Sequence, residues 1–474
     1  MANSVIEQHP LYPQLTVGQE VIFVVSNLDA VANQTKVKFC VEVHISDELP
    51  PVTDNTNNLI GTFKTTPNNA GVGIFDLRNI VENYVKADNM AAEGSAYKTT
   101  QTSSDNRHPI HLIDKYSLSS NIVRYLALVF YVEYLDTDPT SITFNKVARA
   151  AGTDAPSAIY SIFNGYLKYT DKLDLFNSNF GFDTGIFNPS SIDKRYLTNA
   201  PTTQYANSGD YGTIAFNAPS LSASNEVNKI VITYYNEAGV AISSADSVDK
   251  DTVNGAYSVW NASINKSILF FGCFPGNLQN WSTNYASAVT AGLSYYTIQA
   301  DDNSGAIGSS SLEKITIYVN CPNGKDFESI RLCWLNQWGA WDYYTFTMKS
   351  IRSISTSGST YQQLGGTWNE STYKIDSFKG GKKAFRVNAT EKITMNTDFV
   401  SESEAVMFEE LINSPEVYLL EGYQTDNATP SLNQYVTPVR LTTSSFTKKT
   451  VANDKIMQYN FEVEKSKTLR TQSI

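Results

Sequence analysis

Residues 331–348, RLCWLNQWGAWDYYTFTM, hold three of the chain's six tryptophans and read as two short strands around Asn336, Gln337, Trp338 and Gly339. Side chains alternate along both arms, and the bend has the residue types a tight turn needs, because glycine tolerates positive φ and asparagine hydrogen-bonds its own turn. A β-hairpin is the prediction. Its rings, Trp334, Trp338, Trp341, Tyr343, Tyr344 and Phe346, have two readings. Either they fill the core between two sheets, or Trp338 and one strand face stay exposed as a contact for another subunit or a sugar, since aromatics anchor both kinds of interface. Asp342 stands beside tyrosines. Its predicted role is structural, accepting hydrogen bonds from turn amides or a tyrosine hydroxyl so that a buried carboxylate is not left unpaired.

The bias toward strands runs through the whole chain. Of its 474 residues 41% are apolar and 12% aromatic, with 28 tyrosines, which excludes a disordered chain and favours pleated surfaces that branched and ring side chains fill. Length suggests about three domains. The expected class is mainly β: tandem antiparallel β-sandwich domains, immunoglobulin-like, with few short helices.

Residues 1–140 are expected to form an N-terminal sandwich with one helix and a long loop arm. In KVKFCVEVHIS, Val37, Phe39, Val41, Val43 and Ile45 point to one face while Lys38, Cys40, Glu42 and His44 point to the other, the pattern of a half-buried strand. Leu77, Ile80, Val81, Tyr84 and Val85 recur at helical spacing behind Asp76, which is placed to cap. Residues 91–120 have no period and read as an arm toward a neighbouring subunit, or as disorder. NIVRYLALVFYVEYL, 121–135, predicts a central strand.

Residues 141–210 read as an extended connector and 211–350 as a central sandwich, with strands such as KIVITYYN and SILFFG, that ends in the aromatic hairpin. Residues 351–370, rich in Ser, Thr and Gly, read as a linker into a C-terminal α+β domain within 351–474. There Ser401 and Glu404 are set to cap a helix bearing Met407, Phe408, Leu411 and Ile412, which stops before Pro415. In IMQYNFEVE, Met457, Tyr459, Phe461 and Val463 face inward.

The formal charge of −11 weighs against nucleic-acid binding, which depends on basic side chains displacing phosphate counterions. The one basic cluster, Lys379, Lys382, Lys383 and Arg386 around Gly380 and Gly381, reads as a solvated glycine turn. Cys40, Cys273, Cys321 and Cys333 lack the tight spacing of a disulfide scaffold or metal site and read as buried thiols. No stretch approaches the ~18–20 apolar residues of a membrane span, and the first residues lack a charged segment followed by an apolar one, so a soluble protein is expected.

Catalysis finds little footing. Of His9, His44, His108 and His111, only the HPIH pair has a spacing that metal sites use, and it lacks accompanying Cys or Glu. No phosphate-cradling loop and no Gly-x-Ser-x-Gly elbow occur. Glu409 and Glu410, neighbours on a helix, point apart and read as part of a solvated face. No catalytic, metal or cofactor residues are expected.

Arg331, Leu332, Leu335, Asn336, Gly339, Asp342 and Phe346 form the pattern Arg-Leu-x-x-Leu-Asn-x-x-Gly-x-x-Asp-x-x-x-Phe. It resembles a segment of a family of virion structural proteins of tailed bacteriophages, crAss-like and marine phages among them. TFKTTPNNAGVGIFD (62–76), RYLTNAP (195–201) and NDKIMQYNFEVEKS (453–466) are similar to other parts of that family, which usually has a small or hydrophobic residue where this chain has Trp338. The resemblance implies a non-enzymatic virion protein in an oligomeric ring, neck or baseplate layer of the tail, made in the host bacterial cytoplasm. Its implied partners are itself, as a ring-like homo-oligomer, and other tail, portal-proximal or baseplate proteins, with no membrane and no specific nucleic acid. Arg331, Leu335, Asn336, Trp338, Gly339, Trp341, Asp342 and Phe346 are then the expected structural or interface residues of the hairpin. The alternative is a receptor-binding or carbohydrate-binding tail adhesin that uses exposed aromatics.

Overall fold

The computed structural model describes residues 3–10, 14–46, 58–86, 110, 115–118, 122–149, 158–166, 196–217, 229–249, 253–254, 257–258, 268–301, 314–320, 327–368, 370–376, 378–402, 404–421, 436–447 and 457–467. Most of the expected arm at 91–120 lies outside these, as do the middle of the expected connector, His108, His111 and Cys321. The chain divides into two compact units, Met1–Cys321 with Leu335–Asp342 and Gln424–Pro430, and Pro322–Trp334 with Tyr343–Tyr423 and Ser431–Ile474.

The first unit opens with β1 (Val5–Gln8), β2 (Gln14–Thr16), β3 (Ile22–Ser26), helix α1 (Leu28–Asn33), β4 (Thr35–Ser46), β5 (Leu59–Thr65), β6 (Val72–Asp76) and helix α2 (Arg78–Val81). Further along come β7 (Tyr116–Leu118), β8 (Val123–Leu135), β9 (Val147–Arg149) and β10 (Ala158–Phe163). A three-stranded sheet, β1-β3-β6, faces a larger one ordered β2-β10-β8-β4-β5, with β9 attached to β8. Phe23 and Phe75 of the small sheet meet Phe130 of β8 at ring-centroid distances of 5.5 and 5.9 Å. At Gly73 the sheets approach closely, since a Cβ there would lie 2.8 Å from Cβ of Phe39. This is face-to-face sheet packing, the architecture of the immunoglobulin-like class.

The alternation in β4 places Val37, Phe39, Val41, Val43 and Ile45 in the core, as expected. Cys40 and His44, expected on the outer face, are buried too. The reason is visible around Cys40: β4 lies between β5 and β8, and the long side chains of its neighbours close over it. Lys64 pairs with Glu133 at 2.6 Å, Arg149 with Glu42 at 3.2 Å, and the Arg149 guanidinium lies 3.9 Å over the Tyr131 ring. The helix expected after Asp76 is one α-turn followed by a 3-10 turn, Glu82–Tyr84, with the Arg78 amide bonded to Asp76 Oδ1 at 3.0 Å.

The same unit continues with β11 (Thr203–Asn207), β12 (Thr213–Asn217), β13 (Lys229–Tyr235), β14 (Asp246–Asp249), β15 (Val253–Asn254), β16 (Tyr257–Ser258) and β17 (Ile268–Gly272). Helices α3 (Pro275–Trp281) and α4 (Thr283–Thr290) precede β18 (Tyr295–Asp301) and β19 (Ile315–Asn320). The sheet β11-β19-β18-β13-β14 is joined to β12-β17-β7 by phenols: Tyr116 donates to the Val248 carbonyl and Tyr296 to the Cys273 carbonyl, both at 2.7 Å. Antiparallel pairing dominates, while β2–β10 and β11–β19 run parallel. Tyr235, Tyr295, Tyr318 and Tyr205 form a ladder across four strands, with successive centroids 5.0, 5.0 and 5.5 Å apart. Cross-strand ring pairs of this kind contribute about 0.2–1 kcal/mol each, so the ladder stiffens the sheet.

The second unit is built on one antiparallel sheet. Its strands are β20 (Ile330–Leu335), β21 (Trp341–Phe346), β22 (Ile351–Gln363), β23 (Gly381–Asn396), β24 (Val417–Leu420), β25 (Val436–Leu441) and β26 (Asn460–Lys465), ordered β21-β20-β24-β25-β26-β23-β22. Helix α5 (Glu404–Asn413) starts as expected, with the Glu404 carboxylate accepting from both the amide and the hydroxyl of Ser401. It packs Phe408 against Tyr344, Phe346 and Phe461 at 4.9–6.3 Å, and Met457, Tyr459, Phe461 and Val463 are buried beneath it. Two expectations change here. The arms of the aromatic hairpin pair through β20 with β24 instead of closing a central sandwich, and the Ser/Thr/Gly stretch at 351–363 is a strand of thirteen residues, not a linker.

Candidate functional site

All eight hairpin residues singled out in the sequence are placed, and the seven with side chains are buried, Trp338 at 3% exposure. The bend forms as its chemistry predicts. Asn336 Oδ1 accepts from the amides of Trp338 and Ala340, each at 3.0 Å, and Gly339 has φ +74°. Within the first unit, Asn336 Nδ2 donates to the Leu197 carbonyl at 2.9 Å, the Tyr166 amide donates to Gln337 O at 2.7 Å, and Thr198 donates its hydroxyl to Asp342. A Cβ on Gly339 would overlap the carbonyl oxygen of Asn164. Two segments far apart in the sequence, RYLTNAP and the hairpin bend, therefore meet. On the arms, Arg331 donates to Thr345 at 2.7 Å with its guanidinium 5.2 Å over Tyr343, and Phe346 enters the ring cluster under α5. Trp334, Trp338, Trp341, Tyr343 and Phe346 are buried and Tyr344 half-buried, and the exposed-anchor reading of Trp338 does not hold, because segments 164–166 and 197–198 cover the bend.

The exposed aromatics lie elsewhere. β22 and β23 pair over thirteen residues, but β23 pairs with β26 only over Lys392–Asn396. Outward from Glu391, the two strands form a ribbon that no third strand joins among the described residues. At about 3.3 Å per residue, β22 spans about 43 Å. A bulge at Phe385, where the register steps between Ser359 and Thr360, bends the ribbon and increases its twist. Beyond Gln363 the ladder continues through Asp376 N to Gly365 O at 3.2 Å and Thr367 N to Lys374 O at 3.0 Å. The rings of Trp368 and Tyr373 meet there at 5.0 Å, tilted by 46°, and Gly380 and Gly381, both at positive φ, turn the chain back. Trp368 is 63% exposed, Ile375 and Phe378 74% each. Of the basic cluster, Lys379 lies at the turn, paired with Asp376 at 3.1 Å, while Lys382, Lys383 and Arg386 lie on β23.

Ion pairs fix the ribbon's root. Arg352 reaches Glu328 at 2.6 Å, Glu391 at 2.8 Å and Glu421 at 3.4 Å, and Lys465 reaches Glu391 and Glu421 at 3.3 and 3.2 Å. Hydrogen bonds from Arg352 hold the Glu328 carboxyl below its ordinary range. Burial opposes ionisation of Glu391, yet hydrogen bonds from Arg352 and Lys465 outweigh it and lower that carboxyl as well. Sequence reasoning missed the ribbon. Its signal was the unbroken run of Ser, Thr and Tyr without proline, followed after Gly380-Gly381 by KKAFRVNATEKITM.

Several other chemistry-bearing groups are enclosed. Cys40, Cys273 and Cys333 are buried, and burial pushes the Cys40 thiol up to about 12. Glu410, expected on a solvated helix face, is buried. Among the described residues, no cluster of His, Cys, Asp and Glu is arranged to hold a metal ion. No helix among them is long and apolar enough to cross a membrane.

No family model matches the chain, and no curated protein matches it. Among solved structures, the native conformation of E. coli alpha-2-macroglobulin seen by cryo-EM is similar at 9% identity and a TM-score of 0.17, covering 82% of this chain and 22% of that one. Trypsin-activated alpha-2-macroglobulin from Escherichia coli gives 9% identity and a TM-score of 0.16, covering 84% and 22%. The chain spans 22% of the length of these structures, and a likeness at such TM-scores says nothing of its function.

Proposed function

We propose that the chain is a non-enzymatic structural protein of a tailed-phage virion, present in several copies in a ring, neck or baseplate layer. The observation that carries this reading is the β22–β23 ribbon, which leaves large apolar and aromatic side chains in water while the hairpin rings are consumed in a core. Exposed apolar surface of this extent on a rigid element marks an interaction site. The hairpin, RYLTNAP and C-terminal segments that resemble phage virion proteins support the same reading. The stiff sandwiches with their tyrosine ladder would supply the wall, and the ribbon would supply the joint.

Quantitative mass spectrometry of purified particles of the phage that encodes this sequence tests the proposal. The protein is expected at a fixed multiple of the portal subunit. Its absence from intact particles would remove the reading.

A further inference from the structure

We propose that the β22–β23 ribbon docks on a second copy of this chain, placing its cationic tip against that copy's acidic surface and offering for strand pairing the edge of β22, which is unpaired among the described residues. This rests on the assembly reading above and deepens it by naming the partner.

A two-stranded ribbon alone in water is marginally stable. This one nevertheless carries Ile354, Ile375, Phe378 and Phe385 with more than half of each exposed, which costs free energy unless something covers them. The edge of β22 points the same way. From Ser353 to Gln363 it has no charged residue and no proline, the devices that usually prevent edge-to-edge association, and its bulge lies on the partnered strand instead. An unprotected edge of this length is suited to strand addition.

Charge selects the occupant. Between residues 363 and 387 the ribbon carries five lysine and arginine side chains and two carboxylates, in a chain whose net charge is −11. The rest of the molecule is therefore strongly acidic, and another copy presents the complementary field. Nucleic acid would be attracted to the tip and repelled by everything behind it. The ion pairs around Arg352 anchor the root, so the ribbon is presented in a set direction. Each copy then gives its ribbon and receives its neighbour's, a heterologous contact that closes into a ring when the rotation permits.

The test is sedimentation velocity of the full chain from about 1 μM to about 1 mM, a range that detects even weak association, at low and high salt. Concentration-dependent association weakened by salt is expected. The triple variant Lys382→Glu/Lys383→Glu/Arg386→Glu should weaken it about tenfold or more, and Ile375→Ser/Phe378→Ser should weaken it at all salt concentrations. Lys382, Arg386, Ile375 and Phe378 are exposed and Lys383 is half-buried, so unchanged circular dichroism and melting temperature would show intact folding. A monomer throughout the range, or association indifferent to both variants, would overturn the inference. So would tip-dependent binding of a duplex oligonucleotide without self-association. Presence in particles together with indifferent variants removes only the docking, whereas tip-dependent association of a protein absent from particles removes only the virion assignment.

Discussion

Replacing Gly339 by alanine probes the bend on which the hairpin depends. The residue sits at φ +74°, where an L side chain costs about 1–2 kcal/mol. The added methyl would also overlap the Asn164 carbonyl oxygen, a backbone atom that cannot rotate away. Displacing that segment strains the bonds from the Asn164 amide to Ile122 O at 3.0 Å and from the Tyr166 amide to Gln337 O at 2.7 Å, worth about 1 kcal/mol each. Together Gly339→Ala should cost about 3–4 kcal/mol. With a urea slope of about 2–3 kcal/mol/M, the unfolding midpoint followed by fluorescence of the hairpin tryptophans should fall by about 1–2 M. Gly209→Ala is the control, because nothing lies within 4 Å of a Cβ there; it should be neutral or slightly stabilising. A Gly339→Ala midpoint within error of the control would refute both the strain and the clash.

Gly73→Ala should cost about 1–3 kcal/mol in a thermal melt, because the new methyl would lie 2.8 Å from Phe39 Cβ and push the two sheets apart; an unchanged melting temperature would show that the sandwich is looser than described. Arg352→Met should cost about 1 kcal/mol at neutral pH, discounted for a side chain 33% exposed, and should speed amide exchange at the ribbon's root. Glu328 and Glu391 are lowered from an ordinary 4.5, so the stability they contribute is present above that value and disappears as pH falls below it. The difference between variant and wild type should shrink in acid, and a constant difference would contradict the ion-pair account. Cys40 is raised from 9.0 to about 12, so its contribution is complete below pH 9 and is lost as pH climbs toward 12. At pH 8 a thiol reagent should leave it unlabelled until the protein is unfolded, and rapid labelling of the native chain would disprove its enclosure.

Local features were legible before any tertiary contact was known. Asn336 and Gly339 announce the hairpin bend, Ser401 and Glu404 the start of α5, and the alternations around Val41 and Phe461 the inward faces of β4 and β26. Each follows from the backbone itself, since a strand sends successive side chains to opposite faces and a helix must satisfy its first amides from nearby groups. Other positions were illegible for an equally physical reason. Cys40, His44 and Glu410 are polar or small, and nothing in their own neighbourhood tells that the fold buries them.

The sequence by itself thus determined a mainly β chain with turns and caps at definite places. Only the tertiary structure decided what those elements meet: that Trp338 is covered by residues near 165 and 197, that the hairpin arms join β24, and that 351–363 is a strand. A ribbon with water on both faces needs no apolar period, so its strand character comes from hydrogen bonds to a partner some thirty residues away, and the proline-free run of Ser, Thr and Tyr that marks it names neither that partner nor the register.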